Sequence, residues 1–179
     1  MNIRTILVPV DFTTCARLVT DQAASLATRL GAKVVVLHVA PLPTGVSPAA
    51  SVAPDGVAVP VGQYLAADSR ARLETFAAVV RAHGAPVELV AEVGPVVATI
   101  LRTIDAVGAD LVMMGTHGRS GLVRLVLGSV AEGVTHQAHV PVMLIRREPR
   151  PECARGSCAW CTEQGTSPAE DRVAVETQG

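Results

Sequence analysis

Aromatic side chains are nearly missing from this chain. Phenylalanine, tyrosine and tryptophan make up 2% of its 179 residues, while hydrophobic residues overall make up 49%. The core must therefore be valine, alanine, leucine and isoleucine, a composition suited to buried parallel strands covered by small-residue helices. An excess of charge is missing too. A formal net charge of -1 and a pI near 6.5 leave no broad basic surface, so no nucleic-acid partner is expected. No apolar run reaches the roughly 18 residues that span a bilayer, so no membrane partner is expected either. The opening Met1 to Asp11 has too short an apolar part for a signal peptide, and Asp11 interrupts it. A reducing, cytoplasmic setting follows as the expectation, and with it free thiols or metal ligands rather than disulfides for the four cysteines. Lysine is reduced to Lys33 alone, which excludes a Gly-x4-Gly-Lys-Ser/Thr phosphate loop.

What is present alternates between strand and helix patterns. Ile3 to Val10 is a β-branched run and predicts a first strand. Thr14 to Leu30 carries apolar residues at Val19, Ala23, Leu26, Ala27 and Leu30, a helical stripe. Thr13 or Thr14 is placed to cap that helix and Gly31 to end it. Lys33 to Ala40 predicts a second strand. Pro41 to Gly62 is rich in Pro, Ala, Gly and Ser without a period, and reads as a long loop, ordinarily functional or mobile at that length. Tyr64 to His83 predicts a helix burying Leu73, Phe76, Ala77 and Val80, closed by Gly84. Pro86 to Val93 predicts a third strand, and Pro95 to Val107 a helix with Val97, Ile100, Leu101 and Ile104 inward. Asp110 to Met114 predicts a fourth strand, Ser129 to Gln137 a helix, and Val140 to Ile145 a fifth strand. Together these predict an α/β fold: a doubly wound, five-stranded parallel sheet of Rossmann-like type, order 3-2-1-4-5, with helices on both faces. Ligands of such sheets bind beyond the strands' carboxyl ends, where the order reverses. Pro9, Val10 and Asp11 should then face the Gly115 loop across one crevice.

That loop carries the strongest signal in the chain. Gly115-Thr116-His117-Gly118 is followed after nine residues by Gly128-Ser129, between a buried strand and a helix start. Glycines let the backbone approach an anion, and a helix N-terminus offers free N–H groups and partial positive charge. Together with Ile6 to Asp11, Leu37-His38-Val39, Gly115 to Gly121, Leu127 to Ala131 and Val140 to Ile145, this pattern resembles the universal stress protein family. The spacing Gly-x2-Gly-x9-Gly-Ser is that of the family's ATP-binding branch. The resemblance covers Met1 to about Arg147, so residues 1–147 are expected to form the nucleotide-binding domain and residues 148–179 a flexible, cysteine-containing tail.

The resemblance implies an ATP site with Mg²⁺ or Mn²⁺. Pro9, Val10 and Asp11 would wall the adenine and ribose side, and Val39 would offer backbone groups to the adenine edge. Gly115 would turn the chain under the ribose, with Thr116, His117 and Gly121 in the same loop. Gly118, Arg119 and Ser120 would bring N–H groups to the phosphates. Gly128 would allow close packing, and Ser129, Val130 and Ala131 would receive phosphate oxygens. Asp11 and Thr13 equally suit a plain helix cap. Arg119 and Arg124 suit solvated surface charges, His117 a loop residue with a local hydrogen bond, and His38 a packed strand end. No residue stands out as catalytic, so at most slow ATP hydrolysis is expected of a nucleotide-responsive stress regulator with an unidentified protein partner. Family members commonly dimerise through the last strand, which implies a homodimer through Val140 to Ile145.

The tail opens a different reading. Cys153, Cys158 and Cys161 have a spacing compatible with redox-active thiols, with Zn²⁺, or with an iron–sulfur cluster, a fourth ligand being sought in Cys15, His136 or His139. On that reading the α/β domain would be a dimeric scaffold for a metal-binding or thiol-redox tail.

Overall fold

The computed structural model describes residues 2–54, 56–116 and 128–145. In chain order the elements are β1 (Thr5–Pro9), α1 (Thr14–Leu30), β2 (Lys33–Ala40), β3 (Ser51–Val52), β4 (Val59–Pro60), α2 (Val61–Ala82), β5 (Val87–Val93), α3 (Val96–Val107), β6 (Leu111–Gly115), α4 (Ser129–Gln137) and β7 (Val142–Ile145). The main sheet has five strands in the order β5-β2-β1-β6-β7, all paired in parallel. This is the expected order 3-2-1-4-5.

Strand periodicity sorts the sheet residues between two cores. Ile6, Val8, Val10, Val34, Val36, Leu111 and Met113 pack with α1 and α2. Leu7, Val35, Leu37, Val39, Val112 and Met114 pack with α3 and α4. The buried strand residues are aliphatic on both faces, as the lack of aromatics requires.

Several boundaries differ from the sequence reading. The segment after β2 holds a short antiparallel pair, β3 with β4. Helix α2 starts at Val61, inside the stretch expected to be loop. Gly62 explains that start: a Cβ there would lie 3.2 Å from both Pro48 Cβ and the Pro48 carbonyl oxygen. Its N–H donates to that same oxygen at 3.0 Å, and Val61 N–H donates to Ala50 O at 2.7 Å. The hairpin thus pins the helix start by backbone contacts, which leave no periodic signature. Pro95 is the N-cap of α3 rather than its first residue, and β7 begins at Val142. Leu30, expected inward, is 46% exposed, while Ala16, Thr20 and Ala24 complete the buried face of α1.

One local break positions the site. Val10 N–H donates to Leu37 O of β2. By strand alternation, the backbone of residue 9 faces β6 instead, and proline has no N–H to give. Registered pairing between β1 and β6 covers Ile6 with Leu111 and Leu7 with Val112. Beyond it β1 and β6 run on to Pro9 and Gly115 without pairing with each other, each still paired with its outer neighbour. Neighbouring crossovers leave to opposite faces here, so this gap is the switch point of the sheet.

Candidate functional site at the switch point

A cavity of about 600 Å³ opens at this gap, within the usual size range of small-molecule sites. Pro9, Val10, Asp11, Val39, Gly115, Thr116, Gly128, Ser129, Val130 and Ala131 all line it. Every candidate nucleotide-site residue that is described is therefore on one cavity. His117, Gly118, Arg119, Ser120 and Gly121 lie outside the described residues, as do Cys153, Cys158 and Cys161.

The wall at α4 is built from backbone. Gly128 is the N-cap of α4 and supplies no side-chain cap. Its own N–H donates to Thr116 O at 2.8 Å, and its carbonyl accepts from Glu132 N–H at 2.9 Å. Thr116 N–H in turn donates to Ile145 O at 3.1 Å. The end of β6 and the start of α4 are thereby held together. Among the described residues no side chain caps the first turn of α4, and Ser129, Val130 and Ala131 border the cavity. An uncapped helix start carries partial positive charge and orphan donors, which suits an anion.

The opposite wall is built from side chains. Thr13 caps α1, its hydroxyl accepting from Ala16 N–H at 3.3 Å. Asp11 Oδ1 accepts from both the Thr13 hydroxyl at 2.6 Å and the Thr13 N–H at 3.1 Å. Thr13 thus realises the capping alternative with Asp11 bracing it, while Asp11 also borders the cavity. Between them Phe12 adopts φ 63°, the one positive φ of a non-glycine residue among the described residues. That conformation costs a bulky residue about 1–3 kcal/mol and requires compensating contacts. Phe12 has them: its ring centre is 4.0 Å from that of His38, 5.9 Å from that of Phe76 and 3.9 Å from Arg72 Cζ.

Helix α2 adds Leu65, Asp68, Ser69 and Arg72 to the cavity. No motif points to this wall, because these residues are remote from the glycine loop and lie on a helix that also carries a buried stripe. The spacing Asp68 to Arg72 was the available signal: the pair is 3.6 Å apart, one helical turn along. His38 is half-buried, and its Nδ1 lies 2.7 Å from Val10 O. Burial is the main cause that holds the His38 pKa below the ordinary value of 6.5. Arg72 acts in the same direction, while the Val10 hydrogen bond and the Asp11 and Asp68 carboxylates oppose it. Among the described residues no three His, Cys, Asp or Glu side chains converge to hold a metal ion, and no helix is long and apolar enough to cross a membrane.

A parallel doubly wound sheet with its central strands parted, and the start of a helix facing the gap, defines an α/β protein with a crevice at its switch point. The chain belongs to the universal stress protein family, whose sequence model it matches over residues 2–146. It is 54% identical over 39 residues to the universal stress protein MJ0531 of Methanocaldococcus jannaschii, a stretch covering 22% of this chain and 23% of that one. The matched stretch thus spans about a quarter of that relative's length. Among solved structures, the universal stress protein UspA of Lactobacillus plantarum superposes with a TM-score of 0.67 at 24% identity, covering 82% of this chain and 99% of that one. The universal stress protein of Archaeoglobus fulgidus, solved in complex with dAMP, gives a TM-score of 0.59 at 24% identity, covering 81% and 99%. These likenesses establish the shared fold.

Proposed function

We propose that this chain binds an adenine nucleotide, ATP with Mg²⁺ or Mn²⁺, in the switch-point crevice and acts as a nucleotide-responsive regulator in stress response. The observation that carries this reading is the start of α4, which no side chain caps among the described residues and which borders the same cavity as the ends of β1 and β2. The phosphates would lie against the N–H groups of Ser129, Val130 and Ala131, with Gly118, Arg119 and Ser120 contributing from the glycine loop. Pro9, Val10 and Asp11 would border the base and ribose, with Gly115 beneath the ribose and the Val39 backbone at the base edge. The Asp11 and Asp68 carboxylates in the cavity wall disfavour bare phosphates, and a divalent ion carried mainly by the phosphate oxygens would offset that. A metal-held water and a developing-charge cation are both required for fast phosphoryl transfer. The described wall offers Arg72 but no carboxylate cluster for a metal, so turnover would be slow at most.

The test is nucleotide released by heat from the purified full-length protein and identified by chromatography, followed by titration of the emptied protein with ATP. Retained adenine nucleotide, or saturable ATP binding in the micromolar range, is the expected result. No retained nucleotide and no binding at millimolar ATP with Mg²⁺ would overturn the reading.

A homodimer through β7 is part of the proposal. Strand β7 is the sheet edge among the described residues, pairing with β6, and Met143 on it is 42% exposed. An open edge with an apolar side chain favours pairing with a second copy. Sedimentation velocity should give a dimer that Met143→Lys dissociates.

A further inference from the structure

The two walls of the crevice differ in which end of a nucleotide they suit. The α4 wall offers helix N-terminal N–H donors that no side chain caps among the described residues. The wall made by the β1–α1 turn, β2 and α2 carries the Asp11 carboxylate and the Asp68–Arg72 ion pair beside Phe12, Leu65 and His38, which suit a planar base. On this wall the hydrogen-bonding character of His38 is fixed. Its Nδ1 lies 2.7 Å from the carbonyl oxygen of Val10, and a carbonyl can only accept, so Nδ1 carries the proton. In the neutral ring Nε2 is then a lone-pair acceptor, and among the described residues nothing donates to it. The Phe12 ring against the imidazole holds its plane.

We propose that His38 reads the base: Nε2 accepts a hydrogen bond from the exocyclic amine of an adenine ring, so that the crevice selects 6-amino over 6-oxo purines. This rests on the nucleotide reading given above. An amine has two N–H donors, so His38 and a backbone carbonyl at the end of β2 can share it. A 6-oxo purine would set its oxygen against the Nε2 lone pair, with two carboxylates nearby, and leave both acceptors unpaired. The same geometry makes recognition pH-dependent. Protonation turns Nε2 from acceptor into donor. Arg72 on α2 disfavours that protonation, and Asp11 on the β1–α1 turn and Asp68 on α2 favour it.

The test compares ATP with ITP, which differ only in that the 6-amino group becomes a 6-oxo group with a proton on N1, by calorimetric titration of the emptied full-length chain. The wild type is expected to favour ATP by about tenfold or more, the scale of one hydrogen bond replaced by facing acceptors. In His38→Asn the amide nitrogen can still serve Val10 O, but nothing reaches the Nε2 position. Its ATP-to-ITP ratio should fall about tenfold below the wild-type ratio through loss of ATP affinity, the backbone carbonyl keeping what preference remains. In His38→Gln the amide oxygen reaches that position and should keep a preference for ATP. Wild-type affinity for ATP should fall as pH drops through the lowered His38 pKa, and the asparagine variant should lack that step. A wild-type ratio in folded His38→Asn overturns the inference, as does a wild type that does not discriminate. Should the asparagine variant fail to fold, the glutamine variant and the wild-type pH profile decide: loss of preference in the first, or a flat second, overturns it. ATP binding with unchanged selectivity in the variant defeats this inference alone, whereas a wild type that binds no adenine nucleotide defeats the nucleotide reading and this inference with it.

Discussion

Helices α1 and α4 begin at corresponding places and are finished differently. Each follows a central strand, β1 or β6, and each starts at the cavity. At α1 the first turn is closed: Thr13 caps it, and Asp11 holds Thr13 through two hydrogen bonds. At α4 the cap position is Gly128, with no side chain to offer. The same orphan N–H groups exist at both ends. One set has a capping side chain, and the other has none among the described residues. Cap chemistry thus separates two similar βα junctions, one closed as a structural joint and one proposed as the phosphate wall.

Making α4 resemble α1 is the strongest way to break this contrast. Gly128 has φ -59° and ψ 142°, a conformation open to any L residue, so Gly128→Asp introduces no backbone strain. Its carboxylate would cap the first turn and put negative charge where phosphate is proposed to lie. ATP affinity should fall by at least about 100-fold while the melting temperature holds or rises, since a cap adds about 1 kcal/mol. Unchanged affinity in the calorimeter would remove α4 from the site. The next effect tests how firmly α4 is seated. A Cβ on Gly133 would lie 3.0 and 3.2 Å from the Val97 methyl groups of α3, and a short branched side chain has little room to yield. Gly133→Leu should cost about 1–3 kcal/mol in urea unfolding and weaken ATP binding by displacing the helix start. Third is the reverse change, opening α1. Thr13→Ala should cost about 1 kcal/mol of stability and leave ATP affinity within about threefold, because the site would depend on the other helix.

This asymmetry was half legible in the sequence. Thr13 before an apolar stripe announces a capped helix, and Gly128-Ser129 after a buried run announces a helix start with a glycine at its cap. Both were readable because a cap and its helix adjoin in the chain. The five strands and their order were readable for the same reason: each aliphatic run and crossover is local, and handedness fixes the rest. Contacts between distant segments were not. The α2 wall joins the cavity through tertiary packing, and Asp68, Ser69 and Arg72 carry no motif that points to residues near position 11. The early start of α2 depends on Gly62 meeting Pro48, a backbone approach without periodicity. Pro9 stood in plain view, but its consequence, the parting of β1 from β6, emerges only once the alternation of Val10 toward β2 is known.

The smallest expected effect lies at the opposite end of the same strands and sharpens the contrast between closed and open backbone. Where β1 begins, Asp110 Oδ2 accepts from Arg4 N–H at 2.8 Å and Thr5 N–H at 3.0 Å. These two bonds hold the Asp110 carboxyl below its ordinary pKa of 3.8. A depressed carboxylate pKa means the unfolded chain binds the proton more readily, so the stabilisation is complete above the ordinary pKa and disappears as pH falls through the folded value. Asp110→Asn keeps an oxygen to accept the bonds but loses the charge that strengthens them. The variant should therefore unfold slightly more easily than the wild type at neutral pH. The gap should close as both are acidified below the carboxylate range, because the wild-type side chain is then neutral as well. Solvent exposure keeps the difference small. A gap that persists with the carboxyl protonated would mean that Asp110 acts by shape rather than charge. ATP affinity should not change in this variant at any pH, since the donors that Asp110 closes lie at the far edge of the sheet from the crevice.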